Sequence, residues 1–198
     1  IEPDRAWCYS NADYVLLGEI VERITEAPLP VVLWQRILEP LGLRDTEYPL
    51  ADPYVRSPHL PGYTRFAGRY HDTSVISPSE SGASGAMISN ASEVARFFEA
   101  VVHGDLVPSP WAARMRAAVP SQDGLGYGYG LSRLELPDGT IAYGHRGGTA
   151  GANTVVLATE AGRTVVLHQN ALDLKRPVRW DNPFLLAALA VSLGPTPP

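Results

Sequence analysis

Two short clusters hold the residues best suited to chemistry. Tyr9-Ser10-Asn11 stands just ahead of an apolar periodic run, and His145-Arg146-Gly147-Gly148 closes a run that alternates. In an extended segment residues two apart face the same way, so Tyr9 and Asn11 point together and Ser10 points away. A phenol titrates near pH 10 and is a poor base unless a cation lowers that value. Taken alone, Tyr-x-Asn is a weak pattern, and its plainer reading is a buried tyrosine followed by an asparagine helix cap. In the second cluster, three of the five residues from Gly147 to Gly151 are glycine. Glycine in a strand lets another backbone lie close. That suits a ligand docking as an added strand through main-chain hydrogen bonds; the plain alternative is a turn between strands.

Other catalytic patterns are absent from the sequence. There is no Gly-x-Ser-x-Gly elbow, no His-Glu-x-x-His and no phosphate loop. Gly126-Tyr127-Gly128-Tyr129-Gly130 falls in a strand-like run, so it is not a nucleotide fingerprint. Cys8 is the only cysteine, which excludes an intrachain disulfide and a cysteine-based zinc site. It reads as a small buried apolar residue. His59, His71 and His103 are scattered and read as surface or packing residues. No metal and no cofactor is expected.

The elements that must position these clusters follow from composition and period. The chain has 198 residues, 45% of them hydrophobic, enough for a core. A net charge of −5 argues against nucleic acid and against an anionic membrane surface. No stretch is long enough to span a membrane. Tyr14, Leu17, Gly18, Val21 and Ile24 predict a helix beginning just after Asn11 and ended by Pro28 and Pro30. Val31, Trp34, Ile37 and Leu38 predict a shorter helix that stops at Pro40, before a turn at Gly42. Residues 44–85 carry no lasting period and read as turns and short strands packed over the site. Asn90 with Glu93 fits a capping box, Gly104 a stop, and Ser109-Pro110 the start of a helix carrying Trp111, Met115 and Val119.

After Gly124 the pattern turns to strands: Tyr127–Leu136, then Thr140–His145 across Pro137-Asp138-Gly139, then Thr154–Thr159 and Thr164–His168 across Glu160-Ala161-Gly162. Pro183–Leu193 reads as a closing apolar helix. The expected fold class is α/β of the α+β kind, an antiparallel sheet flanked by helices with an all-helical subregion. Residues 1–124 form the mainly helical part and 125–198 the strands plus the last helix, in one structural unit.

Four segments in fixed order carry a resemblance: Tyr9-Ser10-Asn11, Pro40-Leu41-Gly42-Leu43-Arg44-Asp45-Thr46, Gly126–Leu131 and His145–Gly148. Together with the small-residue run Ser84–Ser89 and Asn170, they resemble the second half of the serine penicillin-recognising enzymes. That family comprises D-alanyl-D-alanine carboxypeptidases, class C β-lactamases and related esterases. The resemblance implies a β-lactamase/transpeptidase-like fold and an acyl-serine mechanism. It gives Tyr9 proton transfer, Asn11 positioning of a lysine and of the substrate carbonyl, His145 a polarising hydrogen bond, and Gly148 one oxyanion N–H. Gly147 lines the substrate edge. Such an enzyme needs a nucleophile written Ser-x-x-Lys. The one lysine, Lys175, follows Leu172 by three residues, so the motif does not occur in these 198 residues.

A companion chain or an upstream segment, with cleavage before Ile1, is therefore expected to bring the serine. The fold is expected to be incomplete without that N-terminal segment, which in the family adds strands beside the C-terminal ones. Two positions depart from the family. Arg146 replaces a small hydroxyl residue; it either binds a carboxylate bidentately or faces solvent. Ser132 stands where the carboxypeptidases carry the arginine that receives a peptide C-terminus, and Arg133 faces the other side. The expected function is a serine hydrolase or acyltransferase of the penicillin-binding type. The alternatives are an esterase, amidase or peptide-cyclising transacylase of the same fold, or a binding module that lost its nucleophile. Peptide, β-lactam or ester is the substrate class. The location is secreted or cell envelope for a peptidase, cytoplasmic for a biosynthetic esterase or transacylase.

Overall fold

A computed structural model describes residues 8–49, 51–56, 58–121, 125–136, 138–173, 187, 188 and 191. Helix α1 (Asn11–Thr25) is capped by Ser10, whose hydroxyl accepts from the Asp13 N–H. It ends at Thr25, ahead of the prolines, with Glu26 in the left-handed region at φ 52°. Its buried contact is Gly18, where an added Cβ would lie 2.6 Å from that of Ala83. Leu16, Leu17, Ile20 and Ile24 of the same helix face solvent.

Helix α2 (Leu29–Leu33) carries Pro30 in its first turn, where no N–H is missed. It does not stop at Pro40. A π-helical stretch (Trp34–Leu38) leads into a last turn, α3 (Glu39–Leu41), which contains Pro40. The wider register, with the Glu39 N–H on the Trp34 carbonyl, makes room for a ring that would collide with an α-helical carbonyl.

In the 44–85 segment, β1 (Tyr63–Phe66) and β2 (Arg69–Asp72) form a hairpin. Helix α4 (Ala91–His103) is capped at one end by Asn90, which accepts from the Glu93 N–H, and at the other by Gly104. The Glu93 side chain does not turn back onto the cap as a capping box would require. It is buried, accepts from the Thr46 hydroxyl at 2.6 Å and from the Asp45 N–H at 3.1 Å, and so ties the Pro40–Thr46 run to α4. Burial pushes this carboxyl up. The donors from Thr46, Asp45 and Arg44, with the charge of Arg96, outweigh it and hold the group below the usual glutamate value.

Helix α5 (Ser109–Arg116) ends before Val119, which belongs instead to β3 (Val119–Pro120). The expected strand Tyr127–Leu136 is split. β4 (Gly126–Tyr127) ends in a turn in which the Gly128 N–H reaches the Leu131 carbonyl and Gly130 takes φ 77°. β5 (Ser132–Glu135) follows, then β6 (Ile141–Thr149), β7 (Ala152–Thr159), β8 (Thr164–Gln169) and β9 (Ala171–Asp173). β6 runs past His145 through Gly147 and Gly148, so these two glycines are strand, while Gly151 lies in the turn that follows.

Six strands form an antiparallel sheet in the order β3-β4-β5-β6-β7-β8. A second sheet, β2-β1-β9, holds a parallel pair that the sequence reading did not contain, β1 with β9. Asn170 stitches it: the side chain donates to the Pro61 carbonyl and its own carbonyl accepts from Tyr63. β1, β2 and β3 all lie before residue 124. α4 lies against β7 and β8. Ala142, Val155 and Leu157 form the sheet's buried core, packed by Leu134, Val165 and Leu167. Full burial of a side chain such as Leu157 contributes about 1.5–3 kcal/mol.

Of the expected helix Pro183–Leu193, only Ala187, Ala188 and Val191 fall within the described residues. Cys8 is exposed rather than buried. Among the described residues no helix is long and apolar enough to cross a membrane, and no cluster of His, Cys, Asp or Glu could hold a metal ion.

Candidate active site

The start of α1 and the middle of β6 meet. The Tyr9 ring centroid lies 5.8 Å from that of His145, 6.0 Å from Tyr127 and 5.5 Å from Tyr14. Asn11 is the first helical residue and exposed. Ser10 between them is extended, with φ −139° and ψ 115°, which sets Tyr9 and Asn11 to one side. The helix cap is Ser10 and not Asn11, so the plainer reading of Tyr-x-Asn does not hold for the asparagine, whose amide stays out of the capping role.

His145 is half-buried, and its Nε2 is 3.1 Å from the Tyr127 hydroxyl. That hydroxyl is in turn 2.5 Å from the hydroxyl of Tyr14. Burial pushes the His145 imidazole below its ordinary value; a hydrogen bond to the Arg146 backbone acts against this and the Arg146 charge acts with it. Tyr127 is pushed up strongly, first by burial and then by its hydrogen bond with Tyr14. Tyr9 is also raised, by burial and then by Tyr14. A phenol that holds its proton more firmly than in water is a poor base. Tyr9 would need a nearby cation to serve as one.

The strand edge beside this cluster is open. β5 pairs with β6 only as far as Gly144, which faces Ser132. His145–Thr149 therefore pair with β7 alone among the described residues. Thr149 faces Ala152 across the two-residue turn Ala150-Gly151. A two-residue turn is closed by a pair exchanging both hydrogen bonds, and the pattern alternates from there. The N–H and C=O groups of His145, Gly147 and Thr149 thus turn to β7, while those of Arg146 and Gly148 turn to the open side. Gly148 and Asn153 then form a close, non-hydrogen-bonded pair. An added Cβ at Gly148 would lie 2.7 Å from Asn153 Oδ1, and Asn153 is held by its bond to the Ala171 carbonyl. Nothing lies within 4 Å of a Cβ built on Gly147.

A hollow of about 230 Å³ opens here, lined by Arg146, both glycines, Asn153 and Thr154. The turn itself is pinned from β1, since the Gly151 N–H donates to Thr64 Oγ1 at 2.9 Å. Ser132 is buried between Tyr127 and Gly144 in register and does not line the hollow. Arg133 turns to Glu135, at 3.6 Å.

Sequence reading missed Tyr14 and Tyr127 as members of the cluster. Tyr14 appeared only as a periodic helix residue and Tyr127 only as a strand residue. Their partners are 113 and 18 positions away, and no local pattern marks such a pairing.

Comparison with solved structures returns this fold. A D-stereospecific amidohydrolase from a Streptomyces species is 30% identical with a TM-score of 0.85, over 96% of this chain and 56% of that one. The D-amino acid amidase of Ochrobactrum anthropi SV3, complexed with D-phenylalanine, is 23% identical with a TM-score of 0.72, over 87% of this chain and 54% of that one. Among curated sequences, a Salmonella schwarzengrund protein provisionally named as a D-alanyl-D-alanine carboxypeptidase is 39% identical over 69 residues, 32% of this chain and 16% of its own length. The chain spans little more than half the length of the structural relatives and a smaller part of the curated one. A model of the Beta-lactamase family matches residues 1–190. With the match running almost end to end and the fold agreeing with it, the chain belongs to the beta-lactamase family of serine hydrolases.

Proposed function

We propose that the chain forms part of a serine acyl-transfer enzyme that hydrolyses amides of D-configured substrates, with the nucleophilic serine and its lysine supplied from outside these 198 residues. One observation carries the reading. Tyr9, two residues before α1, and His145 of β6 meet beside a glycine edge whose Gly148 N–H is turned outward. Tyr9 would pass protons between the serine and the leaving amine, once a lysine beside it lowers its affinity for the proton. Asn11 would hold that lysine and the substrate carbonyl, and His145 would supply polarity beside Tyr9. The Gly148 N–H would stabilise the oxyanion, a role whose removal costs about 10²–10³ in rate. Gly147 would let the substrate backbone lie along β6, and Arg146 would meet a polar group of the substrate in the hollow. In the first step the serine Oγ bonds to the carbonyl carbon, the C–N bond breaks and the amine leaves with the proton. Water then bonds to the same carbon, the ester breaks and the serine hydroxyl is restored.

Three features support a site completed by further chain. β8 has no second partner strand among the described residues. Leu16, Leu17, Ile20 and Ile24 of α1 stand in solvent, a patch that a covering segment would bury. Tyr9 titrates in the direction opposite to the one its role requires. The choice of amide rests on the amidohydrolase likeness and on Ser132, which is buried where a carboxypeptidase of this family carries an arginine.

The test labels the preparation with a fluorophosphonate and a fluorescent penicillin, then sequences the labelled peptide. The expected result is one labelled serine, in a Ser-x-x-Lys peptide outside residues 1–198. A label on a serine within them, or none on any polypeptide, overturns the reading. Turnover of a D-amino-acid amide well above that of its L enantiomer and of an acyl-D-Ala-D-Ala peptide is expected; the reverse order assigns the carboxypeptidase activity instead.

A further inference from the structure

We propose that Thr64 is a positioning residue for acyl transfer: its hydroxyl anchors the β6–β7 turn and so sets the direction in which the Gly148 N–H points. The use made of that N–H rests on the proposed function. The anchoring rests on the structure alone.

The sheet gives out at Gly148. β5 pairs with β6 only as far as Gly144, and the last pair of β7 with β8 is Asn153 with Gln169. Gly148 faces Asn153. Thr149, Ala150, Gly151 and Ala152 therefore overhang, paired with no third strand among the described residues. A two-stranded ribbon twists more freely than strands inside a sheet. Gly148 stands at the root of the overhang, so a turn that swings carries the Gly148 peptide with it.

A side-chain bond stops the swing. A two-residue turn closes through the residues that flank it and leaves its two central N–H groups unused. Gly151 is buried, where an N–H with no acceptor is unfavourable. It donates to Thr64 Oγ1 at 2.9 Å, and a backbone N–H can only donate. Thr64 Oγ1 also lies 3.0 Å from Thr73 Oγ1. Beneath the bond two backbones touch: a Cβ built on Gly151 would lie 2.8 Å from Gly62 Cα and 2.8 Å from Thr73 Oγ1. Gly62 is itself fixed, its carbonyl by the Thr73 N–H at 2.8 Å and its N–H by Ser74 Oγ at 2.9 Å.

The base on which Thr64 stands is tied back to the sheet. β1 pairs with β9, and the Asn153 side chain donates to the Ala171 carbonyl at 3.1 Å. From Gly148 the path crosses to Asn153, passes to β9 and β1, and returns to the turn through the hydrogen bond at Thr64. Its hydroxyl is engaged with Gly151 and Thr73, so Thr64 acts through the turn and not on the substrate.

Thr64→Val keeps the shape and removes the hydroxyl; Thr64→Ser keeps the hydroxyl. Both are made in the protein as prepared, with any companion polypeptide retained. Amide NMR reads the anchor without activity. In the wild type the Gly151 amide proton should shift little with temperature, as a bonded proton does. In Thr64→Val it should shift several-fold more and the Gly148 amide resonance should move, and Thr64→Ser should restore both. Where the preparation acylates, Thr64→Val should lower the saturated acylation rate about ten-fold, a part of what loss of an oxyanion donor costs. The half-saturating concentration should stay nearly unmoved, and Thr64→Ser should recover the rate. A wild-type Gly151 amide that behaves as unbonded overturns the proposal. So does a Gly148 resonance or a saturated rate unmoved in Thr64→Val, or a fall in rate that Thr64→Ser does not recover. If Thr64→Val does not fold, Thr64→Ala takes its place and the wild-type Gly151 amide still decides. A preparation that never acylates, with Gly148 moved in Thr64→Val, counts against the proposed function and leaves the anchor intact.

Discussion

The polar cluster at Glu93 and the one at His145 are built from similar parts and end in opposite conditions. Glu93 is buried and met by the Thr46 hydroxyl and the Asp45 and Arg44 backbone, and Thr46 also reaches Ser89. Its charge is fully answered within the chain, and its carboxyl is pulled below the ordinary value. At the other cluster Tyr9 and Tyr127 are pushed above theirs and His145 below its own. Every shift there favours the neutral form. A closed cluster stabilises its charge; this one excludes charge and borders an open strand edge. The contrast separates a polar knot that stabilises its own charge from a cluster whose groups are all pushed toward neutrality. What separates them is not burial but whether the groups already present satisfy one another's charge.

The comparison can be broken at either end. The largest effect is expected from Tyr9→Phe in a preparation that acylates: a loss of about 10²–10⁴ in acylation rate, with the denaturation midpoint nearly unmoved. A rate within a few-fold of wild type would remove Tyr9 from the chemistry. Next comes Glu93→Gln, which keeps the shape and removes the charge. It should cost about 2–3 kcal/mol in urea unfolding, because buried donors lose a charged acceptor, and leave acylation by the folded fraction unchanged. A cost below about 0.5 kcal/mol would mean that Glu93 is not the knot described here.

The smallest effect sharpens the contrast through pH. His145 titrates below its ordinary value, so the unfolded chain takes up this proton first as pH falls. The stability involved is fully present above roughly pH 6.5 and is lost as pH falls through the depressed folded value. Glu93, shifted the other way relative to its charge, gains rather than loses from being ionised. Urea midpoints taken above and below it should fall more in wild type than in His145→Gln, since His168 contributes the same background to both. Equal falls would show that His145 is not the group whose charge the fold resists.

Sequence reading reached the parts of this molecule that repeat a local rule. Asn90 and Gly104 delimit α4 because capping is decided within a turn. The hairpin turns at Gly139 and Gly162 follow from positive φ. The two chemical clusters were legible because each is short and contiguous. What was lost depended on distance. Glu93 three residues after Asn90 looks the same whether it caps or reaches Thr46, 47 positions away. The β1–β9 pairing joins Tyr63 to Ala171 with nothing local to announce it. Pro40 was read as a stop because the rule assumes an α-helical carbonyl ladder, which the π-helical stretch before it replaces. Tyr127 was hidden in a glycine-rich run whose strand turned out to be two residues long.

The two-residue turn at Ala150-Gly151 leaves a signature in deuterium exchange. Along the last five residues of β6 the amides should alternate between slow and fast. Those of His145, Gly147 and Thr149 are protected by β7, and those of Arg146 and Gly148 point away from it. A peptide lying along this rim would slow only the fast pair, so an exchange experiment could map substrate docking amide by amide before any bond is cut.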